Sequence, residues 1–348
     1  MIIKDELEGI MATIKDVARL AGVSVATVSR VINHSPKTSS YSCRRVEQAM
    51  LQLNYYPNAN ARALAQQSTE TLGLLVPDVS DPFFGTMIKA IDQIANQTGN
   101  FLLLVNGYHC EQQEKKAIEQ LLRHQCKALV VHARKINDND LKHFMQQSPA
   151  MVLINRILKG FEHRCVALDD EYGIYLAVRY LIQQNHKNIA WINANNAVQD
   201  SINRQQGYKN ALADHHLSIN PILMVDGEPD ETGGEQAMIA LLNSGHYFSA
   251  VACYNDSMAA GALIALTDNG LKVPEQISIM GFDDILVSRY VRPRLTTVRY
   301  PLVIMAQQAA QLAIALANNS TPPDVTPVFQ PTLVIRNSVS CYRDNIGR

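Results

Sequence analysis

A chain of 348 residues, 47% of them apolar, is too long for one ordinary domain and apolar enough for two or three cores. Its net charge of −1 hides an asymmetry, with residues 11–66 at +5, residues 1–10 at −2 and everything from 67 at −4. A small basic module on a mildly acidic body implies a localised phosphate-binding face, while six scattered cysteines without CxxC spacing exclude a disulfide or zinc framework and read as reduced thiols.

No apolar run nears the roughly 18 residues of a membrane span, and Met1–Ile10 is acidic and lacks the apolar core of a signal peptide. The expected location is the cytoplasm. Residues 1–10 read as an upstream extension, with Met11 as an alternative start. Thr13 then caps a helix over Ile14–Leu20, with Asp16 as a capping-box-like partner and Ile14, Val17, Ala18 and Ala21 on one apolar face. Gly22 makes a tight turn, and Ser24 caps a second helix from Val25 with Val28, Val31 and Ile32 inward. A third helix starts at Ser39 or Ser40 and turns Val46, Ala49, Met50 and Leu53 inward. Two short helices about a tight turn are a helix-turn-helix, whose second helix enters the DNA major groove. Residues 11–57 are therefore the expected DNA-binding domain.

Asn58–Ala65 has helix-start signals but spans barely two turns, and so short a helix is marginal in water because nucleation is unfavourable. Residues 58–66 are read as a hinge helix that folds only with support, and 67–71 as a linker. From Leu72 short apolar runs alternate with amphipathic stretches near 84–98, 112–125, 171–185, 200–214, 231–243, 257–269 and 302–318. The runs are Leu72–Val76, Phe101–Val105, Ala128–His132, Met151–Ile154, Val166–Leu168, Asn188–Ile192, Ile222–Val225, Ala250–Cys253, Ile277–Gly281 and Thr296–Val298. This grammar predicts an α + α/β protein, its body two doubly wound subdomains with a ligand cleft at the strand carboxyl ends.

Val25 and Ala26 would face the groove floor and Arg30 would reach a guanine. In the body, Asn155-Arg156, Arg204, Asn255-Asp256 and Asp283-Asp284 fall at strand ends or on the following helix, where paired donors and acceptors can hold sugar hydroxyls. Asp256 and Asp284 read equally well as helix caps. Phe83 and Phe84 would offer an apolar face to a pyranose ring, with Asp81 as a polar neighbour. Paired carboxylates raise glycosidase or metal chemistry as a rival, yet no nucleophile elbow, P-loop, GxGxxG or HExxH is present and the histidines lack metal-ligand spacing. No catalytic residue, metal or cofactor is expected.

The run Thr-Ile-Lys-Asp-Val-Ala-Arg-Leu-Ala-Gly-Val-Ser-Val-Ala-Thr-Val-Ser-Arg-Val-Ile-Asn (13–33), followed by Pro-Asn-Ala-Asn-Ala-Arg-Ala-Leu-Ala (57–65), resembles the lactose-repressor/galactose-repressor family of bacterial transcription factors. Val-Ser-Asp-Pro-Phe-Phe-Gly (79–85), Gly-Glu-Pro-Asp-Glu (227–231), Tyr-Asn-Asp-Ser-Met (254–258) and Val-Ser-Arg-Tyr-Val-Arg-Pro-Arg-Leu (287–295) extend the resemblance, most closely to the galactose-responsive repressors. Cys43 departs from it, standing where the family usually has an arginine.

The resemblance implies a helix-turn-helix headpiece and a periplasmic-binding-protein-like body over 72–340, split into an N-subdomain (72–167, 299–327) and a C-subdomain (168–298, 328–340). The DNA contacts expected are Thr13, Ser24, Val25, Ala26, Thr27, Ser29, Arg30, Asn33, Ser39, Tyr55, Asn58, Ala61 and Leu64, the last as a minor-groove wedge that kinks the duplex. The effector contacts expected are Asp81, Phe83, Phe84, Asn155, Arg156, Arg204, Asn255, Asp283 and Tyr300. The implied partners are a near-palindromic operator, a second copy in a homodimer, and D-galactose as inducer of galactose uptake and utilisation genes. A different hexose or a purine as effector is the nearer alternative, and a sugar-binding protein without DNA binding the more distant one.

Overall fold

The computed structural model describes residues 12–32, 35, 37–56, 69–196, 198–322, 324 and 326–343. Asn33, the helix read over 58–66 with Asn58, Ala61 and Leu64, and the extension 1–10 lie outside the described residues. The chain forms two compact units, 1–69 and 70–348, each taken by itself.

The first unit contains α1 (Ile14–Ala21), α2 (Val25–Ile32) and α3 (Ser40–Gln52) around a core of Val17, Ala18, Ala21, Val28, Val31, Val46 and Ala49. Thr13 and Asp16 form a reciprocal capping box at the start of α1. Gly22 ends α1 in the left-handed region at φ 62°, its N–H returning to the Ala18 and Arg19 carbonyls. A Cβ at this position would meet only the end of the exposed Arg45 side chain, which can move aside, so it is the left-handed backbone that favours glycine. Ser24 Oγ accepts the Thr27 N–H at 3.1 Å and starts α2.

The strands of the second unit are β1 (Thr69–Val76), β2 (Phe101–Asn106), β3 (Cys126–Val131), β4 (Met151–Ile154), β5 (Cys165–Leu168), β6 (Ile189–Ala194), β7 (Met224–Gly227), β8 (Ala250–Cys253), β9 (Ser278–Asp283), β10 (Thr296–Arg299), β11 (Val328–Phe329) and β12 (Thr332–Val334). They form two sheets, ordered β11-β5-β4-β3-β1-β2 in the N-lobe and β12-β10-β9-β8-β6-β7 in the C-lobe. The pairs β1–β2, β3–β4, β4–β5, β5–β11, β6–β7, β6–β8, β8–β9 and β9–β10 are parallel and β10–β12 is antiparallel. The helices are α4 (Pro82–Gln97), α5 (Glu111–Arg123), α6 (Asp138–Gln147), α7 (Asp170–Gln183), α8 (Gln199–Asp214), α9 (Glu231–Asn243), α10 (Asp256–Asp268), α11 (Val287–Tyr290) and α12 (Leu302–Ala317). Helices cover both faces of each sheet, so strands such as β4, β6 and β8 are buried along their whole length and read as continuous apolar runs.

The chain passes between lobes three times, between β5 and α7, between β10 and α12, and between β11 and β12. The last crossing corrects the expected boundary at 327/328. Val328 and Phe329 pair in parallel with Ala167 and Leu168, so the N-lobe extends through β11 and the switch falls at Gln330-Pro331. β1 also starts at Thr69, inside the stretch read as linker.

α9 and α10 cross in close contact, because a Cβ at Gly261 would stand 1.8 Å from the Glu231 carbonyl oxygen and one at Gly234 2.1 Å from that of Met258. That crossing fixes the N-termini of both helices at the cleft.

Candidate functional site

The carboxyl ends of β1, β3, β4, β6, β8 and β9 face a cleft of about 420 Å³ between the lobes. Strand ends are where doubly wound sheets expose irregular backbone and polar side chains, so this site follows from topology. Of the expected effector residues, Asp81, Phe83, Phe84, Asn155, Arg204, Asn255 and Asp283 line it.

Asp81 caps α4, accepting the Phe83 N–H at 2.8 Å, and burial raises its pKa against the pull of that hydrogen bond. The Phe83 ring stands edge-on to both Phe84 and Tyr300, with centroids 5.2 Å apart in each pair. Tyr300 is buried behind this wall and donates its hydroxyl to Asn155 Oδ1 at 2.7 Å, tying the crossover before α12 to the end of β4. Asn255 caps α10 through the Met258 N–H and donates its own amide to the Pro229 carbonyl at 2.9 Å.

Arg204, from α8, is the electrostatic centre. Its Nε donates to Asp170 Oδ1 at 2.8 Å and Nη1 to the Tyr254 carbonyl at 2.7 Å, while Nη2 lies 3.6 Å from Asp283 Oδ1. The guanidinium lies over the Phe282 and Tyr254 rings at 3.8 and 4.4 Å. Burial drives the Asp283 pKa well above its ordinary value, with the Arg204 charge pulling back, and lifts that of Asp170 to about 6 against the same arginine. Asp283 also holds φ at 105°, outside the usual range of a side-chain-bearing residue, which is the kind of strain that collects at ligand sites. Its looser contact with Arg204 leaves carboxyl oxygens to accept a hydroxyl.

Arg156 is directed elsewhere. Its guanidinium bonds the Ala133 and Ile136 carbonyls and Asp138 Oδ1, so it braces the loop after β3 and is not among the cleft-lining residues. Asp284 likewise anchors Arg289, Arg299 and Arg336, and buried Asp256 accepts from Thr297 Oγ1 and the Ile285 N–H. Both are structural, but neither caps the following helix as the alternative had it: Asn255 caps α10, and α11 has no side-chain cap.

Several cleft residues escaped the sequence reading, among them Arg134, Asp200, Tyr254 and His132. Arg134 Nη1 donates to Asp200 Oδ2 at 2.8 Å and to Tyr254 Oη at 3.2 Å, and Tyr254 Oη donates to Asp200 at 2.9 Å. Burial opposes ionisation of Asp200, yet Arg134, Arg204 and the tyrosine hydroxyl prevail and hold its pKa at about 2. His132 is 1% exposed, and neither ring nitrogen has a partner among the described residues. Burial and the Arg134 charge depress its pKa to about 3, so a neutral ring offers one donor and one acceptor beside Phe84. The strand-end rule that drew attention to Asn155 after β4 applies equally to His132 and Arg134 after β3.

In the first unit, Thr13, Ser24, Val25, Ala26, Arg30 and Ser39 are exposed, while Thr27, Ser29 and Tyr55 are half-buried. Val25 keeps 42% of its surface accessible at the first turn of α2, an unusual position for a β-branched apolar residue that is not in a core. Cys43 lies within hydrogen-bond reach of Thr38 Oγ1 and packs on the headpiece core.

Residues 69–327 match the model for periplasmic binding proteins and the sugar-binding domain of the LacI family, and residues 13–58 match that for bacterial regulatory proteins of the lacI family. The chain is 66% identical over 330 residues to the HTH-type transcriptional regulator GalR of Escherichia coli strain K12, covering 95% of this chain and 96% of that protein. It is 65% identical over 334 residues to the GalR of Salmonella typhimurium strain LT2, covering 96% and 98%. The crystal structure of the lac repressor dimer bound to operator and the anti-inducer ONPF matches with a TM-score of 0.83 at 26% identity, over 95% of this chain and all of that one. A DNA-binding module, a body of two parallel-sheet lobes and these matches agree: the chain belongs to the LacI family of bacterial transcriptional regulators.

Proposed function

We propose that the protein represses genes of galactose uptake and utilisation and leaves its operator when D-galactose binds in the interlobe cleft. The observation that carries this reading is Arg204 between Asp170 and Asp283, a buried set of donors and acceptors at the strand ends beside an aromatic wall. A neutral hexose fits it, since each hydroxyl both donates and accepts, while Phe83 offers an apolar edge to the ring's C–H face. The 65–66% identity to proteins named GalR supports galactose over another hexose or a purine.

In this reading Val25 and Ala26 contact the groove floor and Arg30 a guanine, with Thr13, Ser24, Thr27, Ser29, Ser39 and Tyr55 positioning the headpiece on phosphates and flanking edges. The protein works in the cytoplasm as a homodimer on a near-palindromic operator, each half-site matched to one headpiece. Apolar side chains exposed on both lobes, such as Phe101 and Ile304 on one and Ile222 and Ile264 on the other, support a dimer surface spanning them. Galactose shifts the lobes, and the hinge expected over 58–66 relays that shift to the headpieces.

Asp283→Asn tests the assignment. The variant keeps shape and burial but replaces one carboxyl oxygen with an amide donor, and it is expected to raise the galactose concentration for half-release of a fluorescent operator about tenfold, the weight of one buried hydrogen bond. Operator binding without galactose should persist. Unchanged induction would show that the effector sits elsewhere.

A further inference from the structure

Arg134 and Lys135 follow β3 on the N-lobe, and both side chains cross to the C-lobe. Arg134 bonds Asp200, in the first turn of α8, and the hydroxyl of Tyr254, at the end of β8. Its other terminal nitrogen lies 3.3 Å from Nδ1 of His109, which is exposed, so this bridge lies where the cleft meets solvent. Lys135 Nζ donates to the main-chain carbonyl of Asn196, in the loop between β6 and α8. The backbone beneath the two cations is itself fixed. Glu114 of α5, fully buried, accepts the N–H groups of Arg134, Lys135 and Ile136 at 3.1, 2.9 and 2.8 Å. One lobe thus presents two adjacent cations from a locked loop, and each is bonded to the other lobe.

Separating the lobes would break charge-assisted hydrogen bonds and strip Asp200, only 6% exposed, of its shortest cationic contact. The bridge therefore favours one lobe arrangement over the other, and any bias of that kind shifts the apparent affinity of a ligand that prefers one of them. We propose that Arg134 and Lys135 form an interlobe strap that stabilises the sugar-bound closure and so sets the galactose concentration at which the operator is released. They are positioning residues, acting through Asp200 and Asn196. The inference rests on the reading of the cleft as the galactose site.

The test uses the full-length protein, with D-galactose binding followed by calorimetry and operator release by fluorescence anisotropy. Arg134→Ala is expected to raise the half-release concentration about tenfold and Lys135→Met about threefold. Arg134→Lys should recover most of the loss, because an ammonium can meet the same carboxylate. Asp200→Asn should match Arg134→Ala, and combining the two should add little, as for partners in one interaction. X-ray scattering of the galactose-free proteins reads the strap without the sugar, with R134A/K135M giving a wider lobe separation than the wild type. Wild-type half-release in both single variants, additive losses for Arg134 and Asp200, or scattering identical to wild type would each overturn the strap. A wild type that binds no galactose would overturn the effector assignment instead, and the scattering comparison would still decide the strap.

Discussion

Replacing Arg204 with alanine is expected to abolish galactose-dependent release and to destabilise the body by about 3–5 kcal/mol, the range for removing one partner of a buried ion pair. Arg204 is 3% exposed and faces Asp170, at 5%, and Asp283, at 10%. Its removal leaves two carboxylates in a low-dielectric pocket and empties the space over the Phe282 and Tyr254 rings. Burial already pushes both carboxyls toward their protonated forms, so in the variant they should rise further and take up protons near neutrality. The loss of stability and the loss of response can be separated. R204M/D170N removes cation and anion together while filling the volume, so it should recover much of the stability and none of the galactose response. Urea unfolding and operator release on both variants check the pair of outcomes. A galactose-responsive R204M/D170N would remove Arg204 from the site.

The second large effect concerns pH. Asp256 is fully buried and its pKa is raised to about 7, chiefly by burial, with the bonds from Thr297 and Ile285 working the other way. A carboxyl raised in the folded state binds its proton there before the unfolded chain does. Its contribution is therefore fully present below the ordinary value near 3.8 and is lost as pH climbs through about 7. Asp170, raised to about 6, acts in the same direction, whereas Asp200, held at about 2, acts only in acid, losing its contribution as pH falls below 4. Body stability should thus decline between pH 5 and pH 8. Asp256→Asn cannot ionise, and its amide can donate to Thr297 while its oxygen accepts from Ile285. Its stability relative to wild type should improve as pH rises, by up to on the order of 4 kcal/mol across the full window. Urea titrations at pH 5 and pH 8, followed by the fluorescence of Trp191, the sole tryptophan, measure this directly. Wild-type and variant curves that stay parallel across pH would contradict the account.

Much of the fold was legible because its strands are covered on both faces. Met151–Ile154 and Ala250–Cys253 stand out as unbroken apolar runs, and their ends match the strands. The elements that escaped lacked such contrast. β11 and β12 are two and three residues long, none of them fully buried, and owe their pairing to strands far away in sequence. α6 escaped because polar Asp138–Asp140 masks the Leu141, Phe144 and Met145 stripe, although Asn137 caps it with two hydrogen bonds.

The cleft was legible where one residue type at a strand end suffices, as with Asp283 and Asn255. It was not legible where the function of a side chain depends on a partner in the other lobe. Arg134 and Asp200 are 66 positions apart, and nothing local distinguishes Arg134 from a solvated arginine. Arg156 is the converse case. It lies next to Asn155, whose backbone is left-handed at φ 61°, yet its guanidinium reaches the loop carbonyls of residues 133 and 136.

Release of the operator by a sugar in the cleft requires cleft and headpiece to be thermodynamically coupled, and linkage gives that coupling a numerical test. Operator affinity is measured with and without saturating D-galactose, and galactose affinity with and without saturating operator. Coupling requires the two ratios to be equal, and values of about 5- to 150-fold are typical of such systems. Equal ratios above about fivefold are the predicted result. Galactose affinity that does not change when operator is bound would contradict the account.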